Sequence, residues 1–307
     1  MSAPPYRGRF APSPTGPIHL GTARTALVAW LAARAAHGAL VLRIEDLDTP
    51  RVRPGALEQM LEDLRWLGLD WDEGPDVGGS FGPYLQSQRI ARYDAAIAAL
   101  DAGGHLFRCT CSRKEIETLA SAPHGEDGPV YPGTCRHAPS HPERAPSLRF
   151  RLERTEGFVD AVRGPIAAGL GVGDFVVRRA DGVYAYQLAV VVDDLAMGIT
   201  EVVRGDDLSS STPRQIALIR ALGGTPPRYA HVPLVLGPDG QRLAKRHGKV
   251  TVAEHREAGG SAESLIGTLA CSLGLRDDPR PVAAAELVEG FSLDRIAKEP
   301  VVLAGSR

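Results

Sequence analysis

Leu20, Ala23, Leu27, Trp30 and Leu31 recur at intervals of three and four, which places them on one face of a helix, and Gly38 stops it. A short apolar run after Arg7 and a Pro and Gly turn at 12–17 precede that helix. A second apolar run, Ala39 to Ile44, follows it and ends in Glu45, Asp46 and Asp48. The order predicted is strand, Gly turn, helix, strand. After Arg51, Leu57, Leu61, Leu64 and Leu67 give the inner face of a second helix opened by Pro54. Gly74 to Pro83 reads as a loop, and Gln86 to Leu100 as a third helix closed by Gly103 and Gly104. Helices alternating with strands favour a parallel sheet.

Farther along, Ser147 to Arg154 alternates apolar and basic, a strand with one charged face that is either solvated or turned toward RNA. Asp181 and Gly182, set between Phe175–Arg178 and Val183–Leu188, mark a hairpin. Its second arm runs into Leu188 to Val192, an unbroken apolar run that predicts a fully buried strand. Ser209 to Leu222 and Ala262 to Leu273 have helical spacing, and no internal repeat is found.

The chain has 307 residues, enough for a full core in one large or two small domains, and a formal net charge of -2. Any contact with nucleic acid must therefore come from local patches. No apolar run approaches the roughly 20 residues of a membrane span, and the start lacks a signal peptide's apolar stretch, so the cytoplasm is the expected compartment. Basic residues are almost all arginine. Of the lysines, Lys114, Lys245, Lys249 and Lys298, two lie within five residues of each other, where a compact ammonium can do what a guanidinium cannot.

Three of the four cysteines, Cys109, Cys111 and Cys135, flank a loop rich in Pro, Gly and His. That spacing is wrong for a disulfide framework and suits a structural zinc ion. On donor chemistry alone His137 is the fourth ligand, because imidazole binds zinc far more commonly than phenolate does. Elsewhere, the strand-to-helix turn at His19 and Gly21 offers free backbone N–H groups and a positive dipole end, a setting for phosphate. Taken alone, those two residues read better as a polar helix start and a packing glycine. Tyr186, Asp193, Asp194, Arg204, Asp206 and Asp207 fall at the expected ends of buried strands, where α/β sheets bind ligands.

Together these segments resemble the glutamyl class I aminoacyl-tRNA synthetases. PSPTGPIHLGTA is similar to their HIGH signature, with Thr22 in place of the second His, and RIEDLDTPR to the segment that follows it. YQLAVVVDD and VVRGDDL resemble the family's amino-acid-binding blocks, and LAKRHG its KMSKS loop, with Ala244 where Ser is usual. The resemblance implies an α/β, Rossmann-like catalytic module in two halves, 1–104 and 174–250. It further implies a zinc-containing insertion at 105–173 and a short helical segment at 251–307 with no anticodon-binding domain. It implies that Arg9, Ala11, Ser13, Glu45, Tyr186 and Arg204 bind glutamate, while His19, Gly21 and Lys245 hold ATP with its Mg²⁺ and carry the catalysis. The zinc set becomes Cys109, Cys111, Tyr131 and Cys135, with His137 as rival.

Only about sixty residues follow Gly248, so the resemblance is to the tRNA-modifying branch of the family. The activity implied is ATP-dependent transfer of L-glutamate to queuosine in tRNA(Asp), by a monomer with no membrane partner. Two other functions stay open: a truncated enzyme charging a tRNA 3′ end, and a non-catalytic RNA-binding paralogue.

Overall fold

The computed structural model describes residues 5–119, 130–169, 172–241, 243 and 251–302. Strand β1 (Arg7–Phe10) leads through the proline turn into helix α1 (Leu20–Ala35), and β2 (Ala39–Leu42) returns parallel to β1 with Arg7 opposite Ala39 and Phe10 opposite Leu42. The return is tight at Gly38, whose N–H bonds the Ala33 carbonyl at 2.9 Å. A Cβ there would come within 2.4 Å of the Tyr6 carbonyl oxygen, and backbone cannot move aside as a flexible side chain could. Helix α1 is buried on nearly all sides, because it lies between the sheet and the helix at Ala262–Ser272.

Helix α2 (Ala56–Trp66) buries Ala56, Met60 and Leu64, with Leu67 buried just beyond its end; Leu57 and Leu61, expected to face inward, are only partly covered. A turn of 3₁₀ helix at Gln86–Gln88 precedes α3 (Ile90–Ala102). Then come β3 (Leu106–Cys109), α4 (Arg113–Leu119), β4 (Ser147–Phe150), β5 (Phe158–Asp160), β6 (Gly164–Ile166) and β7 (Phe175–Arg178). Helix α5 (Tyr186–Ala196) and β8 (Glu201–Gly205) follow, and a 3₁₀ stretch at Asp206–Ser211 runs into α6 (Thr212–Ala221). Beyond these lie β9 (Arg228–Val232), β10 (Val235–Leu236), α7 (Val252–Glu257), α8 (Ala262–Ser272) and β11 (Val301–Val302).

Among the described residues the main sheet has the order β2-β1-β8-β9-β5-β6, with parallel pairing throughout except for β6, which is antiparallel to β5 at the edge. Strands β3, β4 and β7 make a separate antiparallel sheet. Membership does not follow chain order: β5 and β6 come from within 105–173 yet complete the main sheet, and β7 pairs with β4. The architecture is mixed α/β, with a cysteine cluster beyond the second sheet.

Two expectations are corrected. Leu188 to Val192 is not a buried strand but the middle of helix α5, covered by α3, α6 and β7. A short run that is apolar in every direction carries no period to separate strand from helix. The hairpin at Asp181 and Gly182 is accordingly brief: Arg178 bridges Tyr184, and the second arm gives way to α5 at Tyr186. Tyr186 thus opens a helix, and Asp193 and Asp194 lie inside its last turn instead of at strand ends. The second correction concerns the charged face of β4. Arg149 is neither solvated nor open to RNA; it is buried, donates to the Asp174 carbonyl at 3.1 Å and lies 4.0 Å over the Tyr131 ring.

No described helix is long and apolar enough to cross a membrane.

Candidate active site

The C-terminal ends of β1 and β8 and the N-terminus of α1 surround a hollow of about 1000 Å³. Arg9, Ala11, Ser13, His19, Gly21, Glu45, Tyr186 and Arg204 all line it. This is the crevice at the carboxyl ends of parallel strands where open α/β sheets take their ligands. His19 is the N-cap residue of α1, in extended conformation, so the helix presents its first N–H groups toward the hollow. A Cβ placed on Gly21 would meet nothing within 4 Å, which removes packing as the reason for a glycine and leaves open space above the backbone. Leu243 lines the same hollow, while Ala244, Lys245 and the rest of the LAKRHG segment lie outside the described residues.

The charged groups of the hollow are held from behind. Arg9 donates through Nη1 to the Val203 carbonyl at 3.0 Å and through Nε to Asp194 at 3.4 Å. Arg43, fully buried, reaches Asp194 at 2.6 Å with one arm and Glu45 at 3.4 Å with the other. Burial opposes the charge on Arg43, but Asp194, Asp193 and Glu45 outweigh it and keep the guanidinium protonated well above its ordinary range. Burial pushes the Glu45 carboxyl up against the pull of Arg43 and Arg9. Arg204 donates to His231 Nε2 at 3.0 Å, to Gln215 Oε1 at 2.7 Å, to Thr212 Oγ1 at 2.6 Å and to Tyr186 Oη at 3.4 Å. Burial raises the Tyr186 phenol, so it stays a neutral donor and acceptor. Two guanidinium groups, one carboxylate and one phenol therefore face a single cavity whose other wall is a helix N-terminus. Such an arrangement can hold a zwitterion carrying an extra carboxylate beside a polyphosphate.

Sequence reasoning did not pick out Arg43, Gln215, Thr212 or His231. The available signal was weak: Arg43 is a charge closing the apolar run Ala39–Ile44, and a charge inside such a run is rarely buried without a partner.

A second cluster stands apart from the hollow. The sulfurs of Cys109, Cys111 and Cys135 lie within 4.8 Å of one another, a group that can hold a metal ion. The Tyr131 hydroxyl is 3.4 Å from Cys109 Sγ and 3.8 Å from Cys111 Sγ. His137 is exposed and is not part of the group, whereas the Ser140 hydroxyl lies 3.3 Å from Cys135 Sγ. Burial works against a thiolate at Cys135, but hydrogen bonds from the Ser140 side chain and backbone overcome it and bring the thiol down to about 5. A sulfur ionised at neutral pH is what a zinc-type site requires.

The fold and the hollow define an ATP-using synthetase module, and the family model for the catalytic domain of class I tRNA synthetases (E and Q) matches residues 6–291. The chain belongs to that family. It is 58% identical over 306 residues to a protein of Symbiobacterium thermophilum named glutamyl-Q tRNA(Asp) synthetase, covering 96% of this chain and 94% of that one. A protein of the same name from Nitratidesulfovibrio vulgaris is 50% identical, with 96% and 95% covered. Among solved structures, glutamate-tRNA synthetase from Elizabethkingia anophelis superposes with a TM-score of 0.82 at 29% identity, over 97% of this chain and 68% of that one.

Proposed function

We propose that the chain activates glutamate with ATP and transfers the glutamyl group to the queuosine base of tRNA(Asp). The observation that carries this reading is the gathering of Arg9, Glu45, Tyr186 and Arg204 around one hollow that also receives the N-terminus of α1 at His19 and Gly21. The two relatives of that name, matched over 94% and 95% of their lengths, support the choice of acceptor.

Arg9 and Arg204 take the carboxylates, because a planar guanidinium meets a carboxylate with two parallel bonds, and Ala11 and Ser13 close the pocket with Tyr186. Glu45 accepts from the substrate ammonium. His19 and the backbone at Gly21 hold ATP, and Lys245, which lies outside the described residues, neutralises the departing phosphates. An α-carboxylate oxygen attacks the α-phosphorus; the new O–P bond forms as the bond to pyrophosphate breaks. A hydroxyl of the queuosine ring then attacks the acyl carbon, AMP leaves with the bonding pair, and the hydroxyl proton passes to solvent. Mg²⁺ enters with ATP and spreads the charge on its phosphates. Enzyme groups position and stabilise charge throughout, so no covalent enzyme intermediate is required.

Cys109, Cys111, Tyr131 and Cys135 are assigned to zinc. Bound there, zinc would tie the end of β3 to the segment around Cys135, a closed set with a structural role. The reaction is placed in the cytoplasm, where ATP and mature tRNA meet.

The test has two stages. Glutamate-dependent exchange of labelled pyrophosphate into ATP, without RNA, is expected, and its absence overturns the activation step. Labelled glutamate is then supplied with ATP and tRNA(Asp) bearing or lacking queuosine. Label that appears only on the modified RNA and survives removal of the 3′ terminal nucleoside supports transfer to the base; label lost with that nucleoside assigns the 3′ end instead.

A further inference from the structure

Behind the hollow, Arg204 is fixed by a pair of buried residues that do not line the cavity. His231, on β9, has no exposed surface, and Asp160, on β5, is 1% exposed. Arg204 Nε lies 3.0 Å from His231 Nε2, and His231 Nδ1 lies 2.6 Å from Asp160 Oδ2. A guanidinium carries only donors, so the ring nitrogen that faces it must be the one without a proton. The proton then sits on Nδ1, aimed at the carboxylate. Asp160 is itself held in place, accepting backbone N–H groups from Val162 at 3.0 Å, Arg163 at 2.9 Å and His231 at 3.1 Å.

We infer that the Asp160–His231 pair is a positioning relay: it supplies one neutral acceptor that fixes the plane of the Arg204 guanidinium for the substrate carboxylate. The inference rests on the reading of Arg204 as a glutamate-binding residue. Its logic is geometric. Gln215 and Thr212 from α6 hold the two terminal nitrogens of Arg204, and His231 holds Nε, so three bonds from two directions leave the guanidinium no freedom to turn about its long axis. Only a terminal N–H and the long 3.4 Å contact to Tyr186 remain for a ligand. Tyr229 lies nearly parallel to His231, with ring centroids 6.3 Å and ring planes 5° apart. Burial holds the imidazole below its ordinary pKa, a bias that the Arg204 charge reinforces and that Asp160 and Asp206 oppose, so the ring is a neutral acceptor at working pH. A protonated ring would set two cations against each other in a buried site, whereas the bare Nε2 can accept from Arg204 and from the Thr212 hydroxyl, which lies 3.2 Å away.

Two substitutions separate this relay from simple core packing. In H231N the amide can still donate to Asp160 but falls short of Arg204. In H231Q the amide oxygen reaches the position of Nε2 and can accept from Arg204. Pyrophosphate exchange on the full chain is expected to show the glutamate KM rising on the order of tenfold in H231N, a value set by an unsatisfied charged donor, with a smaller rise in H231Q and the ATP KM unmoved. If H231N raises both KM values alike, or if H231Q is no better than H231N, the relay is overturned and the histidine is packing alone. A readout independent of activity is the ¹⁵N spectrum of the ligand-free wild-type protein with labelled histidine. A ring protonated on Nδ1 and bare on Nε2 at neutral pH is expected; the opposite tautomer or an imidazolium overturns the inference. Should the wild type show no glutamate-dependent exchange, the reading of Arg204 fails while the spectrum still decides the relay.

Discussion

Arg43 and Arg9 share one carboxylate oxygen: Asp194 Oδ1 accepts Arg43 Nη1 at 2.6 Å and Arg9 Nε at 3.4 Å. Arg43 goes on to Glu45, so the two oppositely charged groups that face the hollow, Arg9 and Glu45, are the ends of one buried chain of alternating charge. Such a chain holds both ends at fixed separation before any ligand arrives, and preorganised charge is what a small zwitterion needs for selective binding.

Removing the middle of that chain has a defined consequence. D194N keeps the shape of the side chain and withdraws the charge that two buried guanidinium groups depend on. Breaking a buried pair in this way costs about 3–5 kcal/mol. Urea unfolding is expected to show a loss of that order, and the glutamate KM in pyrophosphate exchange is expected to rise more than the ATP KM. Unchanged stability in D194N would mean that Asp193, 3.7 Å from Arg43, carries the burden instead.

Glu45 lies at the other end of the chain, where function and stability pull apart. Burial raises its carboxyl despite Arg43 and Arg9, so the ionised form is held at a net cost in the free protein. That cost is present above its raised folded pKa and fades as the pH falls toward the ordinary carboxylate value. E45Q is therefore expected to melt no lower than the wild type at pH 7. The substrate ammonium loses its counter-charge, and truncating one partner of such a pair is expected to raise the glutamate KM by at least about thirtyfold. Differential scanning calorimetry beside exchange kinetics measures both.

Much of this site could be read from local pattern, and the part that could not is long-range. The turn from His19 to Gly21 and helix α1 were legible because strand, glycine and helix signals are contiguous, and the clustered cysteines because their spacing is local. Arg43 and Asp194 are 151 residues apart and His231 and Asp160 are 71 apart, so nothing local marks either pair as partners. Helix α5 was misread for a different reason: Leu188 to Val192 is covered on every side, which erases the period that names a helix. Even so, Tyr186 and Arg204 reach the same cavity, because the resemblance fixed them by position without needing the secondary structure between them.

The cysteine cluster lines no part of the hollow, so metal loss is expected to uncouple stability from activation. Elemental analysis should find zinc in the purified protein, and C135A should lose it. Removal of zinc by a zinc-selective chelator, with Mg²⁺ kept in excess, is expected to lower the melting temperature while glutamate-dependent exchange persists at temperatures below the new midpoint. Y131F tests the fourth donor: retained zinc with weaker affinity supports Tyr131 Oη as a ligand, and undiminished affinity turns attention to Ser140, whose hydroxyl lies 3.3 Å from Cys135 Sγ.

The buried relay behind Arg204 also sets how stability responds to acid. Both members hold folded pKa values below their ordinary ones: burial lowers His231, and Asp160, which burial alone would raise, is brought down by the hydrogen bonds from His231 and the backbone at Arg163 and Val162. In each case the unfolded chain binds the proton more readily, so stability rises with pH across the interval between the two values. For His231 the contribution is complete above roughly pH 6.5 and is lost as the pH falls through its lower folded value. For Asp160 it is complete above roughly pH 4 and lost below. The unfolding free energy of the wild type is thus expected to decline once the pH drops below about 6.5, before ordinary carboxylates titrate. H231Q, which cannot take up that proton, is expected to show a flatter profile just below roughly pH 6.5. Urea midpoints collected across that range decide the matter: parallel profiles for the two proteins would place the titrating group elsewhere in the fold.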